Sequence, residues 1–169
     1  MVMSLRRNLF IDLENTVIDD LEQANFLDEK CEKIKAIITA GGYNVFTIYT
    51  WGWLNQKEIE PKLIQEVGKK LGINIESVIT KDTAIRQYAN SIGWVLGPTI
   101  ESEDEIRFHD YGWDKIESFK ELTRLLTKKT GNGTYGLVDD LVKDPCIIEY
   151  LYEPRRLMLD NLEPRHLKK

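Results

Sequence analysis

The chain has 169 residues, of which 42% are hydrophobic and 30% are charged, and this balance is typical of a single globular domain spanning residues 1–169. The net charge of −5 disfavours a protein that coats nucleic acid, although a local cation site can still admit a small phosphorylated substrate. No apolar run reaches the length of a signal-peptide core or a membrane span, so we expect a cytoplasmic protein without a membrane partner.

The first predicted element is a buried strand at residues 9–11, which ends abruptly in two carboxylates. Asp12 and Glu14 follow the apolar run, and Asn15 and Thr16 are turn and cap residues. Carboxylates at the end of a buried strand are costly to desolvate unless a metal or a hydrogen-bonded partner satisfies them. Two interpretations stay open: the acids merely open a loop, or they lie at the strand ends where ligands bind in open α/β sheets.

A helix and a second strand follow. Apolar residues at helical spacing predict the helix between residues 27 and 38, and a glycine pair ends it. Residues 45–49 form the next apolar run, which ends at Thr50. Trp51 and Trp53 come directly after it. We expect these tryptophans either to stack on a base or sugar ring or to pack over the edge of the sheet.

The middle of the chain continues the alternation of helices and strands. We predict a helix that Pro61 opens, a strand at residues 75–79 and a helix at residues 82–92. Residues 94–112 are the least regular part, and we expect an irregular loop or a short hairpin that covers the site. His109 in this segment is either a substrate ligand or proton carrier, or a structural hydrogen-bonding residue.

A strongly amphipathic helix and a second acidic strand end complete the pattern. Asp114 is the predicted N-cap of the helix, and Lys115 is its first residue. The apolar residues 135–138 then run into Asp139 and Asp140. Side by side in a parallel sheet, the two acidic strand ends would form an all-oxygen site for a hard cation such as Mg²⁺.

Strands and helices alternate along the chain, and this order predicts an α/β fold. The expected architecture is a three-layer αβα sandwich with an open, mostly parallel, Rossmann-like sheet and no large cap domain. A fifth strand is predicted at residues 147–152, and residues 155–169 form either a basic tail or a terminal helix. Cys31 and Cys146 fit neither a disulfide framework nor a zinc site, so we expect free thiols.

Four motifs in order make the sequence resemble the haloacid dehalogenase (HAD) superfamily of phosphotransferases. Asp12 begins a stretch similar to the first motif, Asp-x-Asp-x-(Thr/Val), in which Glu14 replaces the second aspartate. Thr50 at the end of an apolar strand resembles the second motif, and Lys115 at a helix start resembles the third. The fourth motif, paired acids at a strand end with another acid a few residues on, is matched by Asp139, Asp140 and Asp144.

The resemblance implies a small-insert, phosphatase-like HAD domain with Mg²⁺ as cofactor. Asp12 would be the nucleophile, Glu14 the general acid and base, and Thr50 a donor to a phosphoryl oxygen. Lys115 would offset the charge of the acids and the phosphate, with Lys81 and Lys120 as alternatives. Metal ligands would come from Asp12, Glu14 (through its main-chain carbonyl), Asp139 and Asp140.

The implied substrate is a small phosphomonoester, for example a nucleotide or a polynucleotide end, and Thr50, Trp51 and Lys115 are its candidate binding residues. Two alternatives remain open. Asp12 to Asn15 also resembles the opening of the NYN family of PIN-like ribonucleases, which use clustered acids around magnesium. A HAD-like binding protein that has lost catalysis is the other alternative, because Glu14 reaches one methylene further than aspartate and a displacement of about 1 Å can lower a rate about a hundredfold.

Overall fold

A six-stranded sheet forms the centre of the molecule. The computed structural model describes residues 6–111, 113–130, 134–140, 148–152 and 163–166. The strands are β1 (Arg7–Ile11), β2 (Val45–Tyr49), β3 (Ile75–Ile79), β4 (Thr134–Asp139), β5 (Ile148–Tyr152) and β6 (Glu163–His166). The helices are α1 (Asp28–Gly41), α2 (Pro61–Leu71), α3 (Lys81–Ile92), α4 (Ser102–Asp110) and α5 (Lys115–Thr130), and a 3₁₀ turn covers Gln56–Glu58.

The strand order is β3-β2-β1-β4-β5-β6, and the first four strands are parallel. Strands β5 and β6 extend this sheet as an antiparallel edge. Ile11 of β1 pairs with Ile48 of β2 and with Val138 of β4. The residues that follow these three positions therefore reach the same carboxyl-terminal edge of the sheet, which is where ligands bind in open α/β folds.

Helices cover both faces of the parallel strands, because successive side chains of a strand point to opposite sides. Leu9 and Ile11 pack into a buried cluster with apolar residues of α1 and α2. Phe10 points to the other face, where its ring meets the ring of Phe119 in α5 edge-on at 5.3 Å. A third cluster joins Ile85 of α3 to Phe108 of α4. These layers confirm the predicted three-layer, Rossmann-like αβα sandwich.

Glycine residues follow helices α1 and α2. Gly42 follows α1 with φ of +64°, and Gly72 follows α2 with φ of +68°. A side chain is strained in this left-handed conformation, and glycine is not. The buried thiol of Cys31 is free, and its sulfur lies 3.6 Å from the Val17 carbonyl oxygen. Among the described residues, no helix combines the length and apolar character that a bilayer crossing requires.

Two segments differ from the prediction. The irregular loop or hairpin predicted at residues 94–112 is wrong for its second half, which forms α4. A capping box explains the helix: Glu101 accepts a hydrogen bond from the third helical residue, and Asp104 accepts one from the Glu101 backbone. In the C-terminal tail, Glu163–His166 form an edge strand and not a helix. The predicted positions Asp144 and Cys146 lie outside the described residues.

Candidate functional site

Three aspartates meet at the carboxyl-terminal edge of the two central strands. Asp12 directly follows β1, Asp139 is the last residue of β4, and Asp140 comes next. One carboxylate oxygen from each lies within 4.8 Å of the other two. Asp12 and Asp139 are buried and Asp140 is half-buried. Asp12 and Asp139 are far apart in sequence and meet because β1 and β4 pair in register.

Lys115 is the cation of this cluster. Its ammonium nitrogen lies 2.6 Å from Asp12 Oδ1 and 2.7 Å from Asp139 Oδ2, and only 7% of the residue is exposed. The two alternative lysines are engaged elsewhere: Lys81 contacts Glu105 and His109, and Lys120 contacts Glu117. The structure therefore selects Lys115 among the three lysines that the sequence offered.

Two contacts with Tyr49 hold Lys115 in place. The Tyr49 hydroxyl donates a hydrogen bond of 3.0 Å to the Lys115 carbonyl oxygen, and the ammonium lies 5.3 Å from the centre of the Tyr49 ring. The start of α5 is fixed from the other side by Asp114, whose carboxylate accepts a 2.8 Å bond from the Glu117 backbone N–H. The sequence indicates only a core residue at Tyr49, because Tyr49 ends the apolar run of β2.

A tight turn after β1 orients Asp12. The carbonyl oxygen of Leu13 accepts backbone hydrogen bonds from Thr16, Val17 and Ile18, and Asn15 adopts a left-handed φ of +59°. This turn brings the Thr16 hydroxyl to 3.0 Å from Asp12 Oδ2, so both carboxylate oxygens of Asp12 have a donor. The sequence indicates Thr16 as a turn and cap residue and as the threonine of the first motif, with no contact to Asp12 assigned. Its position four residues after Asp12 was the available signal.

The cluster holds more negative than positive charge, because three carboxylates face one ammonium. Burial raises the pKa of Asp12 from 3.8 to about 7; Lys115 opposes this rise and the charge of Asp139 adds to it. Burial and the neighbouring Asp139 also raise the pKa of Asp140. Burial by itself lowers the pKa of Lys115, but the charges of Asp12 and Asp139 outweigh burial and raise it. Lys115 therefore stays charged.

The chemistry of this donor set fits a hard divalent cation. Carboxylate oxygens are the ligands that Mg²⁺ prefers, and oxygens that share one Mg²⁺ lie about 3–4 Å apart. The three aspartate oxygens already lie within 4.8 Å of one another. The two negative charges that Lys115 leaves unbalanced equal the charge of one divalent cation.

The acids line an open cavity of about 560 Å³. Glu14, predicted as the general acid and base, is half-buried at its edge, two residues after Asp12. Thr50 directly follows β2 next to β1, as the sequence indicated, but it is fully buried and does not belong to the residues that line this cavity. Its hydroxyl instead accepts a 3.4 Å hydrogen bond from the Gly52 backbone N–H.

Aromatic side chains also line the cavity. Trp51, Trp113 and His109 line it. Trp53 does not; it packs against the core on the α1 and α2 side of the sheet. Trp51, the tryptophan named as a candidate binding residue, therefore lines the cavity, and Trp53 does not. His109 also contacts Lys81, with 2.6 Å between their side-chain nitrogens.

Comparison of the chain with known proteins finds no match. No protein-family model matches the chain, and no curated protein or solved structure matches it at a significant level. Function therefore has to be inferred from the residues of the site.

Proposed function

We propose that this protein is a Mg²⁺-dependent, HAD-like phosphatase that hydrolyses a phosphomonoester through an aspartyl-phosphate on Asp12. One observation carries the proposal: Lys115 contacts both Asp12 and Asp139, with Asp140 in the same cluster, at the ligand-binding edge of a parallel sheet. A structural ion pair needs only one acid for each lysine. Three acids and one lysine in an open cavity suit phosphoryl transfer, which depends on positioned and neutralised charges.

Asp12 is placed to act as the nucleophile. Lys115 and Thr16 each hold one of its oxygens, so the carboxylate has a fixed direction toward the cavity. Attack of a carboxylate oxygen on phosphorus forms the acyl-phosphate bond while the ester P–O bond breaks. Lys115 then faces the charge on the phosphoryl oxygens. Bound Mg²⁺, held by Asp12, Asp139, Asp140 and the Glu14 carbonyl, would supply further charge stabilisation as a Lewis acid.

Glu14 is the acid and base of the proposed reaction. It lines the cavity close to Asp12 in sequence and in space. Its carboxyl group protonates the leaving oxygen in the first step. In the second step it takes a proton from the water that attacks the acyl-phosphate phosphorus, which releases phosphate and restores Asp12.

A panel of phosphomonoesters and a labelled RNA, each with and without Mg²⁺, tests the proposal. We expect Mg²⁺-dependent release of phosphate by the wild type and none by Asp12→Asn, because an amide does not form the acyl-phosphate. Glu14→Gln should lower kcat by about 10²–10⁴-fold, the usual effect of removing a general acid. Glu22→Gln, which changes an exposed carboxylate outside the cavity, is the matched control. Cleavage of RNA without release of phosphate from any monoester would favour the nuclease alternative.

A binding protein without turnover is the second candidate, and the position of Thr50 favours it. The second HAD motif requires a hydroxyl at the phosphate, whereas Thr50 is fully buried outside the cavity lining. Under this alternative the wild type and Glu14→Asp both release no phosphate. Titration calorimetry would still detect Mg²⁺ binding that Asp12→Asn weakens.

A further inference from the structure

We infer that the substrate is a nucleoside monophosphate, whose phosphate reaches Asp12 and Lys115 while its base stacks on the indole wall formed by Trp51 and Trp113. This inference rests on the proposed phosphatase function and adds the class of the leaving group. Its support comes from the size of the cavity, the arrangement of its aromatic residues and the distribution of charge around it.

The cavity is larger than a phosphoryl group requires. Its volume of about 560 Å³ lies within the range of about 300–1,000 Å³ that is typical of sites for ligands of drug or nucleotide size. Asp12, Asp139 and Lys115, which are buried, line this space together with Trp51 and Trp113, which are half-buried. A substrate with its phosphate at Asp12 and Lys115 therefore shares the cavity with both tryptophans.

The two indoles are backed by further rings that hold them in position. The Trp51 ring packs on Phe108 at 5.7 Å, and the Trp113 ring meets Tyr88 edge-on at 4.4 Å. Tyr88 and Phe108 touch each other at 5.8 Å, so the four rings form one continuous row. A rigid aromatic surface loses little conformational entropy when a ligand stacks on it.

Such a surface recognises the flat face of a nucleobase. Stacking of one base on an aromatic side chain is worth about 1–3 kcal/mol by alanine substitution, which corresponds to about 5- to 150-fold in affinity. All bases present a π-face, so stacking alone predicts broad tolerance of base identity. A sugar phosphate without a base leaves the wall uncovered.

The charge around the cavity favours a single phosphate. Glu14 and Asp114 add carboxylates to the lining, and the whole chain carries a net charge of −5. Lys115 is already surrounded by Asp12 and Asp139. Every additional phosphate would place more negative charge beside these acids, so a mononucleotide is favoured over a nucleoside triphosphate or a polynucleotide end.

The test compares adenosine 5′-monophosphate with ribose 5-phosphate, which presents the same phosphate and sugar without the base, in the presence of Mg²⁺. A 5′-phosphorylated oligodeoxynucleotide is the third substrate. The variants are Trp51→Leu and Trp113→Leu. Trp94→Leu is the matched control, because Trp94 belongs to the same aromatic cluster but does not line the cavity.

We expect kcat/KM for the nucleotide to exceed that for ribose 5-phosphate by at least about tenfold. Each wall variant should lower kcat/KM for the nucleotide by about 5- to 150-fold and leave ribose 5-phosphate within twofold, and Trp94→Leu should change neither. Equal rates on the two substrates, or an equal loss on both in the wall variants, would overturn the inference while the phosphatase function stands. Faster hydrolysis of the oligonucleotide would overturn the preference for a mononucleotide.

A binding measurement separates this inference from the proposed function. Adenosine 5′-monophosphate should quench the intrinsic tryptophan fluorescence in the presence of Mg²⁺, and ribose 5-phosphate should bind at least about tenfold more weakly. If no phosphomonoester is hydrolysed but this preference is seen, the phosphatase function fails and the base-binding wall stands. If the two ligands bind equally, the wall is refuted whatever the activity.

Discussion

Asp12→Asn should change how the stability of the metal-free protein depends on pH. Burial raises the pKa of Asp12 in the folded protein from 3.8 to about 7. A group whose pKa is raised by folding contributes stability that is complete below its unfolded pKa and is lost as pH rises through its folded pKa. The window is therefore about pH 4–7, where the unfolded chain carries an ionised Asp12 that has to take up a proton on folding. Asparagine keeps the size of the side chain and removes this titration.

The magnitude follows from the pKa values. A change of the pKa by one corresponds to about 1.4 kcal/mol. The rise of the Asp12 pKa from 3.8 to about 7 therefore limits its contribution to the free energy of unfolding to about 4 kcal/mol. We expect the free energy of unfolding of the wild type to fall by a few kcal/mol relative to Asp12→Asn between pH 4 and pH 8. Asp140, whose pKa is also raised, shares the proton uptake and keeps the effect of Asp12 below the ceiling.

Urea unfolding followed by far-ultraviolet circular dichroism, in EDTA and at each pH unit from 4 to 8, measures this difference. Glu22→Gln removes an exposed carboxylate and should follow the wild type at every pH. Mg²⁺ added at pH 8 should stabilise the wild type more than Asp12→Asn, since a ligand of the folded state adds RT ln(1 + [L]/Kd). Parallel pH profiles of the unfolding free energy for the wild type and Asp12→Asn in EDTA would refute the raised pKa of the buried Asp12 carboxyl group.

Three further variants test the supports of the site. Lys115→Met leaves Asp12 and Asp139 without their cation, so the free energy of unfolding at pH 7 in EDTA should fall by about 3–5 kcal/mol. The loss should be smaller at pH 5, and an equal loss at both pH values would contradict the assignment of Lys115 as their cation. Thr16→Val removes the donor to Asp12 and should cost about 1.5–3 kcal/mol, with kcat falling more than KM rises. Tyr49→Phe removes the donor to the Lys115 carbonyl and should cost about 1 kcal/mol in thermal unfolding; no loss would show that α5 is anchored elsewhere.

The parts of the site that follow from strand pairing could be predicted from the sequence. Apolar runs ending in acids indicate buried strands, and parallel pairing brings their ends together. Asp12, Asp139 and Asp140 are therefore found in one cluster. Lys115 was expected from its resemblance to the third HAD motif, with Lys81 and Lys120 as alternatives, and Asp114 is a recognisable N-cap for the helix that Lys115 begins.

The parts that depend on side-chain geometry could not be predicted. A strand pattern does not indicate that the Tyr49 hydroxyl reaches the Lys115 carbonyl, or that the Trp51 and Trp53 side chains lie on different sides of the sheet. The helix α4 was missed for a different reason. Residues 94–112 are the least regular part of the sequence and favour an irregular loop or a short hairpin, although acids stabilise a helix N-terminus, and Glu101 and Asp104 form a capping box there.

The charge balance of the cluster argues against a purely structural role. Lys115 would be neutralised by one buried carboxylate, and a second and third acid raise the energy of the metal-free fold, as the raised pKa values of Asp12 and Asp140 indicate. Replacing a buried ionic group by apolar residues often stabilises a protein, so stability alone gives no reason for Asp12, Asp139 and Asp140 to meet. A divalent cation would remove the excess charge, and a phosphate that joins it would bring Lys115 a third anionic partner beside Asp12 and Asp139. Under the proposed function, cation and phosphate binding together would balance the charge of the cluster, which is the electrostatic requirement of a phosphoryl-transfer site.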